Sequence, residues 1–160
     1  MRIYFLRHGA AEDRETWKGS DADRPLTEEG EKELRDLAKK FAKLGFSVEE
    51  IRTSPCARAL RSAKIVAQGL GLSSHLTIDE RIAPGFDLPA LHGILAERPR
   101  CPSFLLVGHE PDLGRVISGL IGGGEVEMKK AGLARVDFDP GTNFGTLVWL
   151  VPPKVLLGHG

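Results

Sequence analysis

The sequence is poor in cysteine and carries no net charge. Only Cys56 and Cys101 are cysteines among 160 residues, and 22 Lys and Arg side chains balance 22 Asp and Glu side chains. So few cysteines exclude a disulfide-rich scaffold and predict reduced thiols. A formal charge of zero gives no electrostatic reason to expect nucleic acid or an anionic membrane as a partner. Any strongly positive site must therefore be local.

The chain also lacks a long apolar segment. The first apolar run, 3–6, leads directly into Arg7 and His8, and it is too short for the core of a signal peptide or a membrane span. We therefore expect a cytoplasmic protein with no membrane partner. With 41% hydrophobic and 28% charged residues in 160, the composition predicts one domain over residues 1–160, with residues 152–160 as a C-terminal tail.

Apolar strands alternate with amphipathic helices along the chain. The pattern predicts a helix after the capping residue Thr27, one that starts at the Ser54 cap with Pro55 in its first position, one over 88–95 and one opened by Pro111. The predicted strands cover 3–6, 48–53, 76–78, 104–107, 134–138 and 146–151. This alternation favours a three-layer α/β/α domain with a mostly parallel central sheet, mixed by antiparallel strands at one edge. We expect Pro152 and Pro153 to end the regular structure.

Two histidines follow the two most apolar strands. His8 comes after the strand at 3–6 and His109 after the strand at 104–107, and each adjoins a glycine, which lets backbone approach a ligand closely. Ligands of open α/β sheets bind beyond the carboxyl ends of the strands. Arg7 lies beside His8, and Arg58 falls in the first turn of the predicted second helix, where backbone N–H groups favour an anion. Two arginines and two histidines at one edge predict a phosphate site.

These residues resemble the histidine phosphatase superfamily, the phosphoglycerate-mutase-like or RHG family. Arg7-His8-Gly9 matches its defining motif, and Gly108-His109 matches its second histidine. The segment 54–59 (Ser-Pro-Cys-Ala-Arg-Ala) matches its Ser-Pro-x-x-Arg-Ala element, and Ser62-Ala63 continue the likeness. The resemblance extends from Met1 to about Phe138. It implies a phosphoglycerate-mutase-like fold and no cofactor or metal.

Within the superfamily, the chain looks most like the SixA-type phosphohistidine phosphatases, because 24–27 (Arg-Pro-Leu-Thr) resembles their segment before the first helix. The resemblance implies that His8 is the nucleophile, that Arg7, Arg24 and Arg58 bind phosphate, and that His109 stabilises the transferring group. Arg61 is a departure, because relatives commonly carry glutamine there. Either helix arginine, Arg58 or Arg61, could therefore reach the site.

Other interpretations of the same residues compete with this one. A histidine at a strand end is often structural, and Arg24 could simply pair with Asp21 and Asp23. His8, His109 and a carboxylate could bind zinc, although neighbouring arginines would repel a divalent cation. Cys56 lacks a basic partner that would make it a nucleophile. His75, His92 and His159 have no comparable context, and we expect them to be surface or satisfied residues.

The general acid is the least determined part of the predicted site. Glu80, in the segment 79–85, resembles the part of the family that supplies a carboxyl group to the leaving oxygen, but an ordinary exposed glutamate fits equally well. Glu110 is a further candidate, next to the second histidine. A phosphorylated imidazole needs little help from an acid, since its protonated form releases a neutral nitrogen base.

The sequence therefore predicts a metal-independent phosphatase that acts on phosphohistidine of a protein partner, such as a phosphotransfer or signalling domain, through a phospho-His8 intermediate. Two alternatives stay open: an enzyme of small phosphate esters, such as a mutase or sugar phosphatase, and a phosphate-binding module without catalysis. Because little chain remains for lids, the predicted rim around His8 is shallow and open.

Overall fold

The computed structural model describes residues 1–158 and consists of six strands and five helices in alternation. The strands are β1 (Arg2–Arg7), β2 (Glu50–Thr53), β3 (Leu76–Ile78), β4 (Ser103–Gly108), β5 (Leu133–Asp139) and β6 (Phe144–Val151). The helices are α1 (Glu28–Lys43), α2 (Ala57–Leu70), α3 (Leu88–Glu97), α4 (Asp112–Leu120) and α5 (Pro153–Leu157). Among residues 1–158, no helix combines the length and the apolar character that crossing a membrane requires.

The six strands form one mixed sheet in the order β3-β2-β4-β1-β5-β6. The pairs β1–β4, β2–β4 and β2–β3 are parallel, whereas β5 runs antiparallel to β1 and β6 runs antiparallel to β5 at the edge. The predicted fold class, including the antiparallel edge, is confirmed. In this register Arg7 pairs with Gly108, and Thr53 pairs with Val107. The carboxyl ends of β1, β2 and β4 therefore lie side by side.

Apolar side chains cover both faces of the sheet, which makes the domain three-layered. On one face, the Phe5 and Phe104 side chains pack with residues of α3 and α4 such as Leu91 and Leu113. On the other face, Leu6 and Leu105 pack with apolar residues of α1 and α2. Strands β1 and β4 are buried on both sides, as their continuous apolar runs predict.

The helix after β2 starts two residues later than the sequence predicts. Helix α2 begins at Ala57, and Cys56 rather than Ser54 occupies the N-cap position. The Ser54 hydroxyl still accepts a hydrogen bond from the Cys56 backbone N–H at 3.2 Å, so it stabilises the turn that precedes the helix. The helix ends at Gly71, whose φ of 70° is the left-handed conformation that glycine favours.

Two segments are more regular than the sequence predicts. Pro152 and Pro153 do not end the regular structure, because Pro153 takes the first position of the short helix α5, where its missing N–H costs nothing. Residues 153–157 of the predicted tail are thus helical, and His159 lies outside the described residues. In the predicted irregular loop before α1, Asp21–Asp23 form a single 3-10 turn. That turn is important for the site.

Candidate functional site

The candidate site lies where β1, β2 and β4 end. His8, Ser54 and His109 each follow the last residue of one of these strands. Both histidines are buried, with 6% of His8 and 4% of His109 exposed, and their ring centroids are 5.3 Å apart. The predicted convergence of the two histidines is confirmed as geometry. Burial of their side chains differs from the shallow, open rim that the sequence suggests.

The imidazole of His8 is held in one orientation by its own neighbour. His8 Nδ1 lies 2.8 Å from the Gly9 carbonyl oxygen, and a carbonyl can only accept, so Nδ1 carries the proton. The lone pair of a neutral ring is then on Nε2. The pKa of His8 is lowered to about 3, mainly by burial; His109, Arg58 and Arg7 act in the same direction, and the Gly9 carbonyl opposes them. His8 is therefore neutral at pH 7.

Arg58 is the guanidinium that reaches His8. Its Nε donates to His8 Nε2 at 3.3 Å, and its carbonyl oxygen accepts from the Ser62 hydroxyl at 2.7 Å. Ser62 Oγ in turn accepts the Gly9 N–H at 3.1 Å, which ties the end of β1 to the first turn of α2. Arg61 points away, because its guanidinium pairs with Glu31 at 2.8 Å. Of the two helix arginines that the sequence leaves open, only Arg58 contacts His8.

His109 has one paired and one unpaired ring nitrogen among the described residues. Its Nε2 lies 2.8 Å from Ser54 Oγ, whereas Nδ1 is buried with no hydrogen-bond partner among residues 1–158. Burial lowers the pKa of His109 to about 4, so the ring is neutral at pH 7. If the Ser54 hydroxyl donates to Nε2, Nδ1 carries the proton. An oxygen acceptor would satisfy that orphaned group.

Arg7 precedes His8 in the chain, and its guanidinium is held by a residue that is distant in the sequence. Its Nη1 donates to the Met128 carbonyl at 2.8 Å, while Nε is buried without a partner in the described part of the chain. Burial lowers the pKa of Arg7, opposed by the charges of Glu110 and Glu127. Its charge contributes to the lowered pKa of both histidines.

Arg24 is linked to Arg58 through the carboxylate of Asp21. Its Nε donates to Asp21 Oδ1 at 3.1 Å and its Nη1 to the Glu12 carbonyl at 2.7 Å. This pairing is the one that the competing interpretation of Arg24 names, but Asp21 also contacts Arg58, with 3.1 Å from Oδ2 to Nη2. Asp21 therefore bridges two of the arginines that sequence analysis places at the phosphate site.

The other candidates contact different groups. Glu80 begins the turn after β3 with an exposed side chain, and no hydrogen bond or ion pair within residues 1–158 involves its carboxylate. Glu110 Oε1 accepts the Gly114 N–H at 2.9 Å, and burial raises the pKa of its carboxyl group. Cys56 caps α2. In the described range, no group of three or more His, Cys, Asp or Glu side chains could hold a metal ion.

The sequence does not predict the contacts that four groups make in the site: the Gly9 carbonyl, the Asp21 carboxylate and the hydroxyls of Ser54 and Ser62. The segment 54–58 does signal Ser54, but as a helix cap rather than as the partner of His109. Gly9 also differs from expectation, because a Cβ there would lie 2.8 Å from Leu34 Cδ1. This glycine is required by packing against α1 as much as by any ligand.

The burial of His8 predicts a specific loss of stability in mild acid. The folded side chain has its pKa lowered to about 3 from an ordinary value of 6.5, so below 6.5 the unfolded state binds a proton that the folded state does not. The free energy of unfolding should therefore fall as pH drops through this window. For His8 the loss between about pH 7 and about pH 5 is about 2 kcal/mol.

Urea unfolding at several pH values tests this expectation against His8→Asn, whose amide can still donate to the Gly9 carbonyl. Wild type should lose about 2 kcal/mol more than His8→Asn between about pH 7 and about pH 5. Equal losses in the two proteins would mean that His8 titrates normally in the folded state. His109, which is present in both, contributes equally to each curve.

Comparison with known proteins supports a family assignment. Residues 3–83 match the family model described as the histidine phosphatase superfamily (branch 1). An uncharacterized protein of Picosynechococcus sp. is 37% identical over 138 residues, which cover 83% of this chain and 82% of that protein. The matched range of the family model contains His8, Arg24, Arg58 and Glu80.

Two comparisons are with phosphohistidine phosphatases. The phosphohistidine phosphatase SixA of Escherichia coli (strain K12) is 28% identical over 156 residues, which cover 96% of this chain and 94% of that protein. A solved structure of the protein histidine phosphatase SixA complexed with tungstate superposes with a TM-score of 0.87 at 27% identity, covering 98% of this chain and 99% of that one. The predicted resemblance to SixA-type proteins is confirmed.

Proposed function

Because the chain belongs to the histidine phosphatase superfamily, we propose that it hydrolyses phosphohistidine on a protein partner through a covalent phospho-His8 intermediate. The observation that carries this proposal is the geometry of His8. The Gly9 carbonyl fixes the proton on Nδ1, so the lone pair on Nε2 is directed toward Arg58. A neutral, oriented imidazole beside a guanidinium is suited to accept a phosphoryl group.

In the proposed reaction the incoming phosphoryl group takes the place of the His8–Arg58 hydrogen bond. His8 Nε2 attacks phosphorus in line, the bond from phosphorus to the substrate nitrogen breaks, and its electron pair stays on that nitrogen. Arg7, Arg24 and Arg58 donate to the phosphoryl oxygens, and His109 donates from Nδ1 as a neutral ring. Water then attacks phospho-His8, which releases phosphate and restores the neutral imidazole.

A site without a positioned general acid favours a P–N substrate over a phosphate ester. An alkoxide leaving group needs a proton in the transition state, and within residues 1–158 no carboxyl group is placed for that role by a hydrogen bond to His8 or His109. A protonated phosphohistidine leaves as neutral imidazole and does not need that proton. The SixA relatives support the same substrate class. We propose a cytoplasmic domain of residues 1–160 that has no nucleic-acid or membrane partner.

A substrate panel tests the function directly. We expect kcat/KM for a phosphohistidine-bearing protein to exceed that for phosphoserine peptides and for phosphoglycerate by about tenfold or more, since only the P–N bond breaks without an acid. Phosphate release at equal enzyme concentration is the measurement. A tenfold preference for phosphoglycerate or a sugar phosphate would reject phosphohistidine as the substrate, and no turnover of any compound, including an aryl phosphate, would indicate a binding module.

Chelation tests the proposed independence of metal ions. Activity after exhaustive treatment with EDTA should stay within about twofold of the untreated rate, because guanidinium and imidazole N–H groups supply the stabilisation that a divalent ion provides elsewhere. The control is the same treated protein with zinc or magnesium added back. Loss of activity with EDTA and its recovery with either ion would establish a metal-dependent reaction.

A further inference from the structure

A negative charge lies within the cationic part of the site. The Asp21 carboxylate lies 3.1 Å from Arg58 Nη2, 3.1 Å from Arg24 Nε and 3.5 Å from Arg14 Nε. The Asp21 backbone carbonyl also accepts from Arg58 Nη1 at 2.7 Å. Asp21 is close enough to the second histidine for its charge to raise the pKa of His109. It is therefore part of the site and not only of the loop.

The Asp21 side chain is also accessible. It is 43% exposed, whereas the Arg58 side chain that it covers is 3% exposed. The carboxylate thus lies between the buried phosphate-binding groups and solvent. Arg58 is buried next to Asp21 and contacts His8, so a substrate that brings its phosphoryl group to His8 comes close to this carboxylate.

A carboxylate in this position is unfavourable for a phosphate ester. It repels the phosphoryl dianion and occupies part of the guanidinium of Arg58. The guanidinium has more N–H donors than these contacts use, so phosphoryl oxygens and Asp21 can both bind Arg58. What the carboxylate would favour is a substrate with a positive charge close to its phosphoryl group.

We propose that Asp21 recognises the protonated ring of phosphohistidine, by accepting a hydrogen bond from the ring N–H that is not bonded to phosphorus. This inference rests on the proposed function and adds a residue that selects P–N over P–O substrates. The protonated phosphoimidazole is a cation next to an anionic phosphoryl group, which matches a carboxylate beside arginines. Phosphoserine and phosphoglycerate have no cation at that place.

The proposed contact balances the charge of the reaction. Before transfer, the ring nitrogen opposite phosphorus carries a proton that Asp21 stabilises. When the P–N bond breaks, its electron pair neutralises the ring, and the product histidine keeps that proton. The attraction to Asp21 weakens as the ring loses its charge, so product release is not opposed. No other reactant is needed.

The test compares Asp21→Asn with the matched control Asp23→Asn. Asp23 lies in the same turn and loses the same charge, but its carboxylate accepts from the Ser20 hydroxyl at 2.8 Å rather than from an arginine. We would measure kcat/KM for a phosphohistidine peptide and for p-nitrophenyl phosphate with wild type and both variants. Melting temperatures establish that each variant is folded, and Asp21→Ser provides a second, smaller replacement.

The expected result is a fall of about tenfold or more in the ratio of P–N to P–O activity for Asp21→Asn, and a change below about twofold for Asp23→Asn. A ratio that changes less than about fivefold would overturn the inference. Equal losses on both substrates would mean that Asp21 only positions Arg58, and equal gains that it only competes with phosphate.

These outcomes separate the inference from the proposed function. If wild type hydrolyses the phosphohistidine peptide and Asp21→Asn keeps the wild-type ratio, the function stands and the role of Asp21 is wrong. If wild type does not hydrolyse the phosphohistidine peptide, the proposed function fails, and the role of Asp21 fails with it.

Discussion

Substitution of His8 by alanine should reduce turnover by about 10⁴-fold or more, the scale that follows removal of a nucleophile from a covalent mechanism. The change removes the Nε2 atom that forms the phospho-enzyme. It also removes the Nδ1 contact to the adjacent Gly9 and the Nε2 contact to Arg58, whose guanidinium keeps its hydrogen bonds to Asp21. The fold should therefore persist, and the melting temperature checks it.

His75→Ala is the matched control for His8→Ala. His75 is exposed, and its Nδ1 lies 2.8 Å from the Glu49 carbonyl oxygen at the other end of β2. The turnover rate of His75→Ala should stay within about twofold of the wild-type rate. In wild type, an alkaline quench during turnover should trap a base-stable, acid-labile phosphate on the peptide that contains His8. Phosphate on another residue, or activity of His8→Ala within tenfold of wild type, would show that His8 is not the nucleophile.

The fold and the position of the site were accessible from sequence because they depend on local patterns. The apolar runs that become β1 and β4 have no polar alternation, which is typical of strands covered on both faces. Parallel strands bring their carboxyl ends to one edge, so the residues that follow them converge. His8 and His109 could be paired on that basis alone.

The contacts that complete the site depend on distances that sequence patterns do not contain. Ser54 and His109 are 55 positions apart, and Asp21 and Arg58 are 37 positions apart. The sequence places Asp21 in a loop without periodicity and cannot indicate that its carboxylate bends back over α2. The same is true of the His8 tautomer, which is decided by a carbonyl oxygen that every residue possesses.

The depth of the site also depends on contacts between residues that are distant in the sequence. Counting the residues left for lids suggests an open rim, because no long insertion follows His109. The cover comes instead from the 3-10 turn Asp21–Asp23, held down by Arg58 and Arg24. A short turn fixed by charged hydrogen bonds thus contributes to the cover of the Arg58 side chain, which is 3% exposed, without a long insertion.

Arg58→Ala should reduce kcat/KM by about 10² to 10³, the scale for loss of one preorganised donor to a developing oxyanion. Arg58 is the only guanidinium within residues 1–158 that hydrogen-bonds to His8, and burial in the site makes its charge effective. The substitution also leaves the Asp21 carboxylate without its buried partner, so that repulsion of phosphate adds to the loss. Inhibition by vanadate should weaken along with the rate, because its adduct resembles the transition state.

Arg61→Ala is the control for Arg58→Ala, because Arg61 lies one turn further along α2 and pairs with Glu31 at a 48% exposed position. It should change the rate by less than about twofold. A loss below about threefold for Arg58→Ala, or a larger loss for Arg61→Ala, would reverse the assignment of the two arginines.

The double variant Arg58→Ala/Asp21→Asn separates the two causes of the loss in Arg58→Ala, the missing donor and the repulsion by Asp21. If repulsion by Asp21 contributes, adding Asp21→Asn should restore part of the p-nitrophenyl phosphate activity that Arg58→Ala removes, because the carboxylate that repels phosphate is then gone. No recovery would assign the whole loss to the missing donor.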